Sequence, residues 1–476
     1  MNPTGFADQV ASVSLPPGWA WARLADIARI NPALDIRITD DAREVTFVPM
    51  AAVDEGFGGV QRPQTRTFGQ VKKGYTPFQV HDVIMAKITP CMENGKGGVV
   101  RGREDEVFFG STEFHVLRAR AGVLPEWIGS FLAQERIRRA ARLGMKGSAG
   151  QLRVPEEFLE RLYFPLPPSA EQQRIADRID ELFTDLAAGV AALERVKRNL
   201  SRYRATVLHA AVTGRLVSSC APDWADESRW QPLGGLIGDV EQGWSPKCER
   251  DAAIRDSDWA VMTTTAIQKM AFDSAENKRL PDTLEPTPQY EVHVGDMLVT
   301  RAGPRSRCGI ACLVRKCRPR LILCDKAYRF RCIDSKALPE YLELALNARP
   351  ITDAIERMKT GSSDSGLNLT QTRFRSLMVP LPPLPVQSAI VEAVNEKLSQ
   401  IDGLEAEVGR GLARASRLRQ SILKAAFEGK LVPQDPADEP ASVLLERIHT
   451  AADVADTPRK GRRTRGSSAM TNGVPS

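Results

Sequence analysis

The sequence predicts an α/β protein in which two mixed domains alternate with two long helices that pair as an antiparallel coiled coil. Residues Arg161 to Val217 align without a gap on Ser376 to Val432, at a constant offset of 215 residues. From Phe164 onward about 18 of 54 aligned positions are identical. Each copy carries an apolar heptad pattern, and a stretch of short β-like runs precedes each copy. The order is therefore domain, helix, domain, helix.

The repeat divides the chain of 476 residues into eight segments, which is consistent with the usual size of protein domains. We predict an N-terminal segment at 1–18, a first α/β domain at 19–164, a first repeat helix at 165–217, a linker at 218–229, a second α/β domain at 230–379, a second repeat helix at 380–432, a short helical extension at 433–454 and a basic disordered tail at 455–476.

Composition favours an ordinary folded protein, with 42% hydrophobic and 26% charged residues. No stretch approaches the roughly 20 apolar residues that a membrane span requires. The first residues lack the basic start and apolar core of a secretion signal. We therefore expect a cytoplasmic protein with no membrane partner.

The two repeat helices show apolar residues at heptad spacing. In the first helix the predicted pairing residues are Ile175, Ile179, Leu182, Leu186, Leu193, Leu200, Tyr203 and Val207. In the second they are Ile390, Val394, Ile401, Leu404, Val408, Leu418 and Ile422. This second seam is weaker, because Lys397, Gly411 and Ala415 also fall on it.

A helix of about 42 residues is roughly 60 Å long, which exceeds the width of most domains. Its apolar stripe therefore needs a partner outside its own domain, and the other copy is the obvious one. Antiparallel pairing would give the tandem repeat a pseudo-twofold axis. Parallel pairing, the alternative, would place both domains together. The Pro-Leu-Pro-Pro clusters at Pro165 and Pro380 mark the entry to each helix, and Gly214 and Gly429 suit its end.

The two α/β domains match only in outline. We predict a strand after an acid in each, within 80–87 and 294–301, followed by a Pro/Gly turn. A helix is expected at 126–142 and at 339–359, and each is followed by a Gly-Ser loop. The interiors differ, as two domains that read different sites would require.

Basic residues are concentrated in one stretch, since Arg301 to Arg331 holds ten Lys or Arg against the single acid Asp325. Such a stretch suits a phosphate-backbone partner, although a solvated sheet face is the plainer interpretation. The candidate DNA-binding residues are Lys87, Lys96, Arg101, Arg103, Arg301, Arg305, Arg307, Arg315, Lys316, Arg318 and Arg320. We expect most of them to bind phosphates and a few Arg to contact guanine edges.

Cysteine spacing does not favour a metal site. The cluster of five at Cys308, Cys312, Cys317, Cys324 and Cys332 contains no Cys-x-x-Cys pair. We therefore predict no metal site and buried free thiols.

Several motifs resemble the specificity subunit of type I restriction-modification systems over about residues 15–450. They are Leu-Pro-Pro-Gly-Trp from Leu15, Ile-Thr-Pro-Cys-Met-Glu-Asn-Gly-Lys from Ile88, Ser-Thr-Glu-Phe-His-Val-Leu from Ser111, and Pro-Leu-Pro-Pro from Pro165 with Glu-Gln-Gln-Arg-Ile from Glu171. The second copy departs from this pattern, with Val-Gln-Ser-Ala-Ile from Val386.

The resemblance implies two target-recognition domains that each read one half of a bipartite double-stranded DNA target. It also implies two methylation subunits, which use S-adenosylmethionine, and restriction subunits, which use ATP and magnesium. These cofactors are then expected in the partner subunits and none in this chain. The sequence has no phosphate loop and no Asn-Pro-Pro-[Tyr/Phe] motif, so we predict no catalytic activity. A helical scaffold without DNA specificity and a fused enzyme with an unrecognised site stay open as alternatives.

Overall fold

The computed structural model describes residues 14–148, 150–217, 223–361 and 363–456. The chain forms two compact units. Unit 1 comprises the described residues of 1–190 and 413–476, and unit 2 comprises those of 191–412. Each unit therefore contains one α/β domain and part of both long helices.

The first domain is built from short strands and helices. Its strands are β1 Ala20–Arg23, β2 Ala28–Ile30, β3 Glu44–Val48, β4 Gln64–Thr67, β5 Thr76–Gln79, β6 Val83–Ala86, β7 Gly97–Val99, β8 Val107–Gly110, β9 Phe114–Ala119, β10 Lys146–Ser148, β11 Gln151–Arg153 and β12 Tyr163–Leu166. Its helices are α1 Leu24–Ile27, α2 Phe68–Val71, α3 Pro125–Leu132, α4 Glu135–Leu143 and α5 Glu156–Glu160. The first long helix, α6 Ser169–Val212, follows.

Two four-stranded sheets form the first domain, in the orders β2-β9-β6-β7 and β4-β3-β8-β5. Strand β6 lies inside its sheet, and all four of its residues are buried. This burial explains why Val-Ile-Met-Ala shows no polar alternation. The ribbon β10–β11 forms a separate two-stranded pair, as does β1 with β12.

The second domain has a related layout. Its strands are β13 Gln231–Pro232, β14 Glu241–Gln242, β15 Ala260–Met262, β16 Ile267–Gln268, β17 Ala271–Phe272, β18 Asn277–Arg279, β19 Met297–Thr300, β20 Ala302–Gly303, β21 Ala311–Leu313, β22 Leu321–Ile322, β23 Ala327–Phe330, β24 Leu367–Asn368 and β25 Met378–Val379. Its helices are α7 Pro339–Asn347, α8 Arg349–Met358 and α9 Gln371–Arg375. The second long helix, α10 Leu384–Phe427, and a final helix, α11 Ala441–Asp456, complete the chain. The main sheet has the order β14-β23-β19-β21.

A buried aspartate precedes the central strand of each domain. Asp82 accepts a hydrogen bond from the backbone N–H of Gln79 at 2.8 Å and forms an ion pair with Arg118 at 2.7 Å. Asp296 accepts in the same way from His293, also at 2.8 Å, and pairs with Arg331 at 2.8 Å. The strands begin later than predicted, at Val83 and Met297, because each aspartate closes a turn first.

The long helices pair in antiparallel fashion. In unit 1 the start of α6, at Ile175 and Ile179, belongs to the same buried cluster as the end of α10, at Ile422 and Leu423. In unit 2 the end of α6 at Val207 and the start of α10 share another cluster, to which Ile390, Val394 and Ile401 contribute. The predicted architecture, two α/β domains alternating with two long paired helices, is confirmed.

The seam differs in detail from the predicted one. Tyr203, Leu404 and Leu418 are 48%, 53% and 48% exposed. A straight helix drifts by about 20° per heptad, so a strict seven-residue series rotates out of the contact over five repeats. Buried Leu208, Leu398 and Leu423 occupy the contact instead.

Gly411, which falls on the heptad seam predicted for the second helix and was expected to weaken it, has a packing role. A Cβ added at Gly411 would lie 3.0 Å from Cδ1 of Leu193, so the missing side chain gives Leu193 its space. Leu182, Leu186 and Leu193 are half-buried. The glycine therefore allows close approach of the two helices at this level.

A buried glutamine ties each long helix to its own domain. Gln172 accepts a hydrogen bond from the backbone N–H of Leu124 at 2.8 Å and donates to the carbonyl of Pro167 at 3.0 Å. Gln387, the aligned residue, accepts from Leu338 at 2.7 Å and donates to Pro382 at 2.8 Å. Both glutamines are fully buried. Leu124 and Leu338 are the N-caps of α3 and α7, so the same bond fixes the start of a domain helix in both units.

Three other local predictions need correction. Each helix predicted at 126–142 and at 339–359 is two helices, α3 with α4 and α7 with α8. Gln134 and Ala348 adopt extended conformations at the two breaks, and Pro350 in the first turn of α8 prevents continuation from α7. The C-terminal helix α11 extends to Asp456, two residues into the predicted tail. The rest of that tail, 457–476, lies outside the described residues, as does 218–222 of the linker.

Helix α11 covers part of unit 1. Ala441, Leu444 and Ile448 are buried in the core of that unit. Asp438, just before the helix, forms an ion pair with Arg174 of α6 at 2.5 Å. Among the helices that the structure describes, none has the length and apolarity needed to cross a bilayer.

Candidate nucleic-acid interface

The predicted cations lie at two ends of the central strand in each domain. In domain 1, Lys87 directly follows β6, and the N–H of Ala86 donates to the carbonyl of Lys96 at 2.8 Å. Arg101 and Arg103 follow β7, which runs antiparallel to β6 and ends beside its start. The four side chains therefore form two groups.

Domain 2 repeats this division. Arg301, Arg305 and Arg307 follow the end of β19. Arg315, Lys316, Arg318 and Arg320 follow β21, whose last residue Leu313 pairs with Met297 at the start of β19. The continuous basic stretch of the sequence is thus divided between opposite ends of one strand.

Most cations of domain 2 are held by groups of the same domain. Arg301 donates to the carbonyl of Asp325 at 2.8 Å and to Oδ1 of Asn368 at 2.7 Å. Arg305 is ion-paired with Asp364 at 2.9 Å and also with Glu356. These bonds position the loops after β19.

The other predicted DNA-binding arginines of domain 2 also have partners within the domain. Arg307 donates to the carbonyls of Thr264 at 2.5 Å and Ile267 at 2.7 Å. Arg315 pairs with the fully buried Glu343 at 2.5 Å. Arg318 donates to the carbonyl of Asp258 at 3.0 Å, and Arg320 to that of Ser257. Lys316 is exposed and has no hydrogen bond or ion pair with another described residue.

The cations of domain 1 differ in how firmly they are held. Nζ of the half-buried Lys96 donates to the carbonyl of Met50 at 3.2 Å. Arg103 is 82% exposed and only 3.5 Å from Asp105. Arg101 pairs with Glu126 at 3.1 Å.

Arg101 also lines a cleft of about 620 Å³ between domain 1 and α6. Asp177 and Asp180 of α6 also line this cleft, as does Arg419 of α10. The carboxylates oppose phosphate binding in the cleft whereas Arg101 and Arg419 favour it, so Arg101 stays a predicted DNA contact.

Sequence reasoning missed a charged group at the opposite end of β6. Arg153 of β11 donates to both carboxylate oxygens of Glu113, at 2.9 and 2.8 Å. The hydrogen bond from Arg153 holds the pKa of Glu113 below its usual value. Nearby, burial lowers the pKa of His115, whose ring contacts the carbonyl of Val154 at 2.9 Å. The side chain of Arg153 is 41% exposed. The sequence feature that could have identified Arg153 is its position just after the Gly-Ser loop of domain 1.

The clustered cysteines are free thiols within domain 2. Cys308, Cys312 and Cys324 are buried, whereas Cys317 and Cys332 are half-buried. Burial raises the pKa of Cys312 to about 12 and that of Cys324 to about 11. These two thiols are therefore protonated at neutral pH.

The fold and its charged strand ends define a class of protein: a tandem-repeat α/β protein with two similar domains that differ in their surface loops. Comparisons with known proteins agree with this class. The family model described as the type I restriction modification DNA specificity domain matches residues 16–195.

Individual proteins extend the match to most of the chain. The type I restriction enzyme EcoEI specificity subunit of Escherichia coli is 31% identical over 495 residues, covering 87% of this chain and 83% of that protein. The EcoKI specificity subunit of Escherichia coli strain K12 is 29% identical over 307 residues, covering 62% and 64%. A chain from a solved structure of a type I R-M system shares the fold, with a TM-score of 0.68 at 21% identity, and the match covers 88% of this chain and 100% of that one.

This chain belongs to the family of type I restriction enzyme specificity subunits. The resemblance found in its motifs is thereby confirmed.

Proposed function

We propose that this chain reads a bipartite DNA target, with domain 1 on one half and domain 2 on the other. The observation that carries this proposal is the matched frame of the two domains. Each has a central strand after a buried aspartate, a glutamine joint to its long helix and cations at both strand ends. The loops on these frames differ, as two readers of unlike sequences require.

The same proposal includes partner subunits. Two methylation subunits that use S-adenosylmethionine would dock on the chain, and restriction subunits that use ATP and magnesium would join them. The chain itself would carry no chemistry and would act in the cytoplasm, where such a complex meets DNA. Family membership supports this assignment, since related proteins are named specificity subunits of restriction enzymes.

A domain exchange tests the bipartite assignment. Replacing residues 19–164 with the first domain of another family member should change one half of the methylated sequence in a reconstituted complex. Sequencing of the methylated DNA measures both halves. A change in both halves would contradict independent reading.

Two assays address the alternatives. Filter binding of the chain to DNA over a salt series should show a steep loss of affinity with rising salt, which a scaffold without DNA contact would lack. Incubation of the isolated chain with DNA and labelled S-adenosylmethionine should give no methyl transfer. Transfer without other subunits would refute the non-catalytic assignment.

A further inference from the structure

The ribbon β10–β11 is the most exposed regular element of domain 1. Ser148 pairs with Gln151 and Lys146 with Arg153 along its two strands. Lys146, Gly147, Ser148 and Gln151 are all exposed. Arg153 donates to the backbone carbonyl of Gln151 at 3.4 Å, but the side chains of Lys146 and Gln151 make no hydrogen bond or ion pair with another described residue. Their polar groups are therefore available to a partner.

The base of this ribbon is fixed to the central sheet. The N–H of Val154 donates to the carbonyl of Lys87 at 2.8 Å, and that of Thr89 donates to Leu152 at 3.0 Å. Gly147 has φ of 140°, and a Cβ there would lie 2.5 Å from the carbonyl oxygen of Gln151. Only glycine fits this close approach. The base of the ribbon is thus held in place before any partner binds.

Charged residues of both signs lie at the base. Lys87, Lys146 and Arg153 are the cations there, and the neighbouring carboxylates are Glu113, paired with Arg153, and Glu156. Burial lowers the pKa of His115, which disfavours the charged form of its ring. The three cations and two carboxylates leave this group with a single net positive charge at neutral pH.

Domain 2 repeats the base but not the tip. The N–H of Leu369 donates to the carbonyl of Arg301 at 2.7 Å, as Val154 does to Lys87. Asn368 of β24 pairs with Ala302 and bridges to Thr360. The connection between Thr360 and Asn368 is longer than the connection between Lys146 and Arg153 in domain 1. It contains the exposed residues Ser363, Asp364 and Ser365. A shared base with unlike tips is the arrangement that reading two different sequences needs.

We propose that ribbon β10–β11 enters the major groove of DNA, where Gln151 contacts a base edge and Lys146 a phosphate. This assignment rests on the proposed function and locates its reading surface in domain 1. The major groove is about 12 Å wide and admits a two-stranded ribbon. The amide of Gln is suited to the N6 and N7 edge of adenine, whereas the ammonium of Lys is a point charge for phosphate.

The test uses the full-length chain and selection from a pool of randomised DNA duplexes, followed by binding over a salt series. Gln151→Ala should relax the preference at one position of one half-site and weaken binding of the preferred sequence about tenfold to a hundredfold. Lys146→Ala should weaken all sequences equally and reduce the salt slope by about 1. Gln64→Ala and Lys73→Ala, exposed positions on or beside the other sheet, are the matched controls.

The outcomes separate the two proposals. If the unmodified chain selects a sequence but Gln151→Ala keeps the full preference and Lys146→Ala the full salt slope, the ribbon is not the reading element. If the unmodified chain selects no sequence in either half, DNA reading itself is refuted. An effect of Gln64→Ala equal to that of Gln151→Ala would also overturn the assignment, because it would not be local to the ribbon.

Discussion

At the scale of single residues, Gln172 and Gln387 are the most informative pair. Replacing Gln172 with Leu would leave the N–H of Leu124 and the carbonyl of Pro167 without partners in a buried site. Each such loss costs about 1–3 kcal/mol. We expect Gln172→Leu to accelerate amide hydrogen exchange at the start of α3 while the start of α7 keeps its protection. Gln387→Leu should do the reverse.

Mass spectrometry of exchanged peptides that contain Leu124 or Leu338 measures both sites in one experiment. Gln400→Leu is the matched control, because Gln400 is exposed on α10. Equal protection of Leu124 in Gln172→Leu and in the parent would show that the glutamine does not hold this joint.

Glu171 gives a pH-dependent prediction. Burial raises the pKa of its carboxyl group, against the opposing effect of the hydrogen bond from Nε1 of Trp19 at 3.0 Å. A raised pKa stabilises the folded state below about pH 4.5, and this contribution is lost as pH rises through the folded-state value. Glu171→Gln keeps an acceptor for Trp19 but carries no charge.

We therefore expect Glu171→Gln to melt at a higher temperature than the parent at pH 7, with the difference shrinking towards pH 4.5. Thermal unfolding of both proteins across this range is the measurement, and the exposed Glu392→Gln serves as control. A difference that grew on acidification would contradict the buried-charge explanation.

Predictions for single residues were correct where the pattern along one helix decides burial. They could not extend to contacts that only the fold creates between distant segments. The heptad pattern located Ile175, Ile390 and other buried residues of the seam, because periodicity along one helix decides which face is apolar. The charge pattern could not tell that Arg307 and Arg320 bond to carbonyls of Thr264 and Ser257. Those acceptors come from segments about 40 to 60 residues away, and only the fold brings them together.

At the scale of elements, the paired helices show that a residue at a heptad position is not always buried in the contact between the helices. Ile401 is 1% exposed, whereas Leu404, three residues later on the same helix, is 53% exposed. Ile401→Ala should lower the free energy of unfolding of unit 2 by about 2–4 kcal/mol, because a buried side chain leaves a cavity. Leu404→Ala should change it by no more than about 1 kcal/mol. Denaturant unfolding, followed by amide hydrogen exchange within α10, measures the change in the free energy of unfolding for both variants. Equal effects would show that Leu404 contributes to the helix contact as much as Ile401 does.

At the scale of the whole molecule, we predict that the helix pair sets the gap between the two half-sites of the proposed bipartite target. Seven residues inserted into both helices, at the level where Gly411 meets Leu193, keep the seam in register because seven residues complete two turns of a coiled coil. The insertion adds about 10 Å of helix, or about three base pairs at 3.4 Å each. We expect the reconstituted complex to methylate a target whose two halves are unchanged but whose gap is longer. Sequencing of methylated DNA measures the gap directly. Insertion into one helix alone should abolish pairing and serves as control, while an unchanged gap after the double insertion would show that the helices do not set the spacing.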